Sequence, residues 1–142
     1  MEKLKILSIG AGAIGTYIGG SLALARHDAV FLERSETART ITSMSISKDG
    51  AVHTIQSPVF VTSIEDALAK GPFDAALFAT KSFDTTAAME SFAPFAADMP
   101  PFICLQNGVE NEEVIAKTLG EDKVIHATVT TAISKPGPAA VV

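Results

Sequence analysis

Apolar residues in this chain fall into two rhythms. Leu4-Lys-Ile-Leu-Ser-Ile9, Ala29-Val-Phe-Leu-Glu33, Phe73-Asp-Ala-Ala-Leu-Phe-Ala79 and Phe102-Ile-Cys-Leu105 are short, nearly continuous apolar runs. Such runs mark strands covered on both faces. Between them the period lengthens. Ile14, Ile18 and Leu22 recur every fourth residue, flanked by Tyr17, Leu24 and Ala25, and predict an amphipathic helix ending near residues 26–28. Ser63-Ile-Glu-Asp66 carries N-cap and acidic first-turn chemistry for a helix of one to two turns. Ala88, Met89, Phe92 and Phe95 share a third helix, strained at Pro94 and ended by the prolines at 100 and 101, and Glu110 to Leu119 form a fourth.

Two further stretches depart from this alternation. Met44-Ser-Ile-Ser47 and Val52-His-Thr-Ile-Gln56 flank Asp49-Gly50, a turn signal that predicts a β-hairpin. Pro58 to Val61 is a short strand, Lys123 to Ala132 a β-rich run, and Ala139 to Val142 the start of another strand. The first two strands with their helix make a βαβ unit of about 30 residues, so the pattern as a whole predicts an α/β fold with a doubly wound, mainly parallel sheet and a small hairpin insertion.

Composition narrows this modestly. The 142 residues suit one domain, and 47% hydrophobic with 19% charged residues is ordinary for a water-exposed α/β protein. No apolar run approaches the roughly 20 residues that span a bilayer, and the opening residues Met1 to Lys5 lead into a strand with neither an h-region nor a cleavage site. The single cysteine, Cys104, lies in the apolar run PFICL and reads as a buried strand residue. A reducing, cytoplasmic setting is expected. The formal net charge of −5 argues against nucleic acid or an anionic membrane as partner.

Chemistry concentrates where strands give way to helices. Gly10-Ala11-Gly12-Ala13-Ile14-Gly15 follows the first strand and opens the first helix. Gly10 permits a tight turn, Gly12 lets backbone approach a pyrophosphate, and Gly15 allows close helix–strand packing, while the amides of Ala13 and Ile14 would face the anion. This is the Rossmann-type recipe for a dinucleotide. At the end of the second strand stand Glu33 and Arg34. An acid there accepts from a ribose 2′-hydroxyl, whereas an arginine offers a charged fork to a 2′-phosphate, and strand alternation lets only one lead. Lys81 and Asn107 each follow a later strand, at the sheet edge where ligands bind in such folds. His27, His53 and His126 show no metal spacing, and no metal is expected.

These residues resemble the ketopantoate reductase (2-dehydropantoate 2-reductase) family. The likeness runs through GAGAIG, the arginine of FLERSE, ATKSFDT, LQNGVENEE and TVTTA with its following KPG, in order over essentially the whole chain. It implies a Rossmann-type domain over residues 1–142 that binds NADP(H), with Gly10 to Gly15 on the pyrophosphate and Arg34 on the 2′-phosphate. Lys81 would line the nicotinamide side, Asn107 would contact cofactor and substrate, and Ile133 falls where the family uses a backbone contact to the cofactor; Lys81 and Asn107 are the expected catalytic residues. The implied activity is reduction of a small 2-oxo acid, 2-dehydropantoate, to pantoate, on the way to pantothenate and coenzyme A.

Members of that family continue into an all-helical domain that supplies the proton-donating lysine, and this domain is absent from the present chain. On this reading the 142 residues are the cofactor half, expected to be inactive in isolation, and a homodimer is compatible with them. Two alternatives stay open: a related two-domain NAD(P)-dependent dehydrogenase acting on another hydroxy acid, and a non-catalytic nucleotide-sensing module.

Overall fold

The computed structural model describes residues 2–10, 13–33, 40–79, 85–105, 110–127 and 140–141. Its elements run β1 (Lys5–Ile9), α1 (Ala13–Leu24), β2 (Asp28–Leu32), β3 (Ser43–Lys48), β4 (Ala51–Gln56), β5 (Val59–Val61) and α2 (Ile64–Ala69). They continue with β6 (Ala75–Phe78), α3 (Thr85–Phe92), β7 (Phe102–Cys104), α4 (Glu110–Leu119), β8 (Val124–His126) and β9 (Ala140–Val141).

Six strands form one sheet in the order β5-β2-β1-β6-β7-β8, with every neighbouring pair parallel. The chain steps outward from β1 to β2 and β5, then returns to the other side of β1 for β6, β7 and β8. Strand order therefore reverses between β1 and β6. In open α/β sheets a crevice forms outside the carboxyl ends of the strands at such a point.

Both faces of this sheet are buried over the central strands β2, β1, β6 and β7, which is why these read as continuous apolar runs, whereas the edge strands β5 and β8 are partly exposed. On one face Leu7, Ile9, Val30, Leu32, Phe78 and Phe102 pack with side chains of α2, α3 and α4, among them Ile64, Met89, Phe92 and Ile115. On the other, Ile6, Leu77 and Leu105 meet the Ile14, Ile18 and Leu22 stripe of α1. That stripe is only half-buried; the fully buried positions of α1 are Gly15, Thr16, Gly19 and Gly20. The apolar period located the helix, but the small residues let it lie closest to its neighbours.

The predicted hairpin forms with a two-residue loop, Lys48 pairing with Ala51. Asp49 at φ 53° and Gly50 at φ 75° adopt the positive angles of a type I′ turn. The hairpin does not join the main sheet. Its β3 pairs in parallel with β9, making a separate three-stranded sheet β4-β3-β9, and Met44 packs beside Phe31 and Phe60 on the α1 side.

Elsewhere the local chemistry acts as anticipated. Ser63 caps α2, its hydroxyl accepting from the Asp66 amide at 3.1 Å. The helix begun at Thr85 tightens to a 3-10 helix over Ala93–Asp98, with Pro94 in its first turn. Among the described residues, the β-rich run after Lys123 forms a strand over Val124–His126; residues 128–139 lie outside the described set.

Candidate functional site

Strand register lines up the carboxyl ends of the main sheet. Val61 pairs with Leu32, Leu32 with Ile9, Ile9 with Phe78, Phe78 with Cys104, and Cys104 with His126. These residues form one row across six strands. Hydrogen bonds carry the ladder a residue further at three places: Gly10 N–H donates to the Leu32 carbonyl at 3.0 Å, Glu33 N–H to Val61 at 2.9 Å, and Leu105 N–H to Phe78 at 2.9 Å. Gly10, Glu33, Ala79 and Leu105 thus share one edge, beside the reversal in strand order.

The glycine turn sits at the centre of that edge. Gly10 has φ 85°, a left-handed conformation that side-chain-bearing residues seldom adopt. Three residues later Ala13 starts α1, and no acidic side chain lies in the helix's first turn. A helix N-terminus presents its leading amide groups and the positive end of its dipole, an arrangement that favours an anion. Gly15 is buried against the turn: a Cβ there would stand 2.7 Å from the Gly10 carbonyl oxygen and 3.0 Å from Ser8 Oγ. Gly19 makes the next close approach, where a Cβ would fall 2.8 Å from Phe31 Cε1.

Of the candidate residues, the structure brings together Gly10, Ala13, Ile14 and Gly15. Ala11, Gly12, Arg34, Lys81, Asn107 and Ile133 lie outside the described residues. The chain enters the segments holding Arg34, Lys81 and Asn107 from Glu33, Ala79 and Leu105, and so from the edge that carries Gly10. Glu33 itself is half-buried at the end of β2.

One residue of this region went unnoticed in the sequence. Ser8 is fully buried in β1, and its hydroxyl donates to the Gly15 carbonyl at 3.3 Å. The available signal was a hydroxyl inside the otherwise apolar stretch Ile6-Leu-Ser-Ile9, since a buried polar group needs a partner.

Farther along the sheet a cavity of about 700 Å³ opens between α4 and β8, lined by Glu112, Glu113, Lys117, Glu121, Val124 and His126. His126 contacts the Glu112 carboxylate there. The strand β8 is three places from β1, roughly 14 Å at ordinary strand spacing, so this cavity is separate from the glycine turn. Cys104 is buried in β7, and desolvation, reinforced by Glu112, raises its thiol to about 11. A thiol so protected is no nucleophile at neutral pH. Among the described residues, no helix is long and apolar enough to cross a membrane.

The profile of ketopantoate reductase PanE/ApbA matches residues 6–142. The chain belongs to the ketopantoate reductase family. It is 32% identical over 117 residues to the 2-dehydropantoate 2-reductase of Pyrococcus horikoshii, a match covering 82% of this chain and 37% of that protein. The crystal structure of the 2-dehydropantoate 2-reductase from Geobacter metallireducens superposes with a TM-score of 0.85 at 26% identity, over 97% of this chain and 45% of that one. This member of the ketopantoate reductase family therefore spans less than half the length of those relatives. A D-mandelate dehydrogenase solved with NADH shares the fold alone, at TM-score 0.77 and 18% identity.

Proposed function

We propose that this chain is the cofactor-binding half of an NADPH-dependent reductase that converts a 2-oxo acid, 2-dehydropantoate, to pantoate for pantothenate and coenzyme A synthesis in the cytoplasm. The observation that carries the reading is the glycine turn. It joins β1 to an acid-free helix N-terminus at the reversal of strand order, and the space at Gly15 is too small for a methyl group. That geometry suits a diphosphate, and family membership makes a nicotinamide dinucleotide its natural owner.

The cofactor, when bound, supplies a hydride for the carbonyl carbon. The chain's own part is to bind and orient. The Ala13 and Ile14 amides, with those of Ala11 and Gly12, take the pyrophosphate. Arg34 pairs with the 2′-phosphate, its fork matching the oxygens, and outweighs the neighbouring Glu33. Lys81 flanks the nicotinamide and attracts the substrate's negative charge. Asn107, which can donate and accept, bridges cofactor and substrate, and Ile133 adds a backbone contact. The proton delivered to the substrate oxygen comes from a group outside this set.

The test is turnover in the full-length protein that carries this chain. Asn107→Ala and Lys81→Ala should each lower kcat/KM for 2-dehydropantoate by about 100-fold or more, as loss of a positioned polar group does. Unchanged turnover in both would refute a catalytic role. A comparison of 2-dehydropantoate with other 2-oxo acids in the same assay tests the substrate.

A further inference from the structure

Ser8 is the only polar side chain in the buried stretch Ile6–Ile9. The pairing of β1 with β2 and β6 is made by backbone groups and does not involve its hydroxyl. What the hydroxyl adds is a bond across two elements, from β1 to the carbonyl of Gly15 in the first turn of α1, at 3.3 Å. The same small space holds the Gly10 carbonyl: a Cβ placed on Gly15 would touch that oxygen at 2.7 Å and Ser8 Oγ at 3.0 Å. Gly10 is fixed from its other side by its bond to the Leu32 carbonyl at 3.0 Å. The turn's left-handed glycine and the helix's first turn are thereby tied to neighbouring strands at independent points.

We propose that Ser8 is a positioning residue of the anion cradle. It holds the first turn of α1 at the separation from Gly10 at which the helix amides converge on a diphosphate. The proposal rests on the cofactor reading above and deepens it. Ser8 touches no ligand; it acts through the Gly15 peptide. Sites of this kind depend on supporting hydrogen bonds that keep binding groups within about half an ångström of the productive geometry.

The test compares two ligands in native, Ser8→Ala and Ser8→Cys protein. NADPH carries the diphosphate, whereas adenosine 2′-monophosphate presents the adenosine and 2′-phosphate without it. Ser8→Ala should raise the Kd for NADPH about 3- to 10-fold, the scale of one lost hydrogen bond, and leave that for adenosine 2′-monophosphate unchanged. Ser8→Cys, close in volume but a weak donor, should fall between and serves if the alanine variant fails to fold. An unchanged Kd for NADPH, even with a lowered Tm, would overturn the role of Ser8, as would equal weakening for both ligands. Failure of the native protein to bind NADPH would instead overturn the cofactor reading, and the role of Ser8 with it.

Discussion

A methyl group on Gly15 would press on the Gly10 carbonyl, which is backbone and cannot swing aside. Gly15→Ala should therefore cost about 1–3 kcal/mol of stability in urea unfolding, the usual range for overpacking, and abolish NADPH binding while the protein is still folded. At Cys104 the effect is one of pH. Burial, with Glu112 adding to it, lifts the thiol from an ordinary 9.0 to about 11, so the folded protein keeps a proton that the unfolded chain releases. The resulting stabilisation is whole below pH 9 and is lost as pH rises from 9 to 11. Native protein should resist a thiol reagent at pH 8 and react only on unfolding; prompt labelling would show that Cys104 is accessible. Single residues were unevenly legible. Gly10 and Gly15 stood out because a tight turn and close helix–strand packing demand glycine, whereas the hydroxyl of Ser8 gained a meaning only with its partner in α1.

Among the elements, the two sheets are joined through α1. A side chain at Gly20 would run into Ile46 Cδ1 and approach Met44 Sδ at 3.1 Å, so the hairpin lies directly on the helix there. Lys48 Nζ adds a bond to Ser21 Oγ at 3.4 Å. At the other end of the main sheet, Lys123 Nζ donates to the carbonyls of Ala96 and Met99 at 2.9 and 2.7 Å, tying the turn before β8 to the 3-10 segment after α3. Lys123→Met should lower stability by about 1.5–3 kcal/mol, as expected for bonds to a charged donor, yet leave NADPH affinity intact because the site is distant. A loss of affinity matching the loss of stability would contradict that separation. Element identity was legible from period, caps and the Asp49-Gly50 turn, all local signals. Pairing of β3 with β9 was not, because residues almost 100 positions apart leave no mark in a local pattern.

For the molecule as a whole, the alternation of strands and helices sufficed to predict the doubly wound sheet, since short right-handed crossovers leave few other topologies. It also brought Gly10 and the residues leading to Arg34, Lys81 and Asn107 to one edge, because loops after parallel strands must emerge together. What the alternation leaves open is the choice between Glu33 and Arg34: consecutive residues at one strand end satisfy opposite cofactor chemistries. The decisive measurement is a paired titration of the native protein and Arg34→Ala with NADPH and with NADH, read from nicotinamide fluorescence. The account predicts that native protein prefers NADPH by about 10-fold or more, the worth of a charge-assisted pair, and that Arg34→Ala erases the preference by weakening NADPH alone. Tighter binding of NADH by the native protein, or no binding of either dinucleotide, would contradict it.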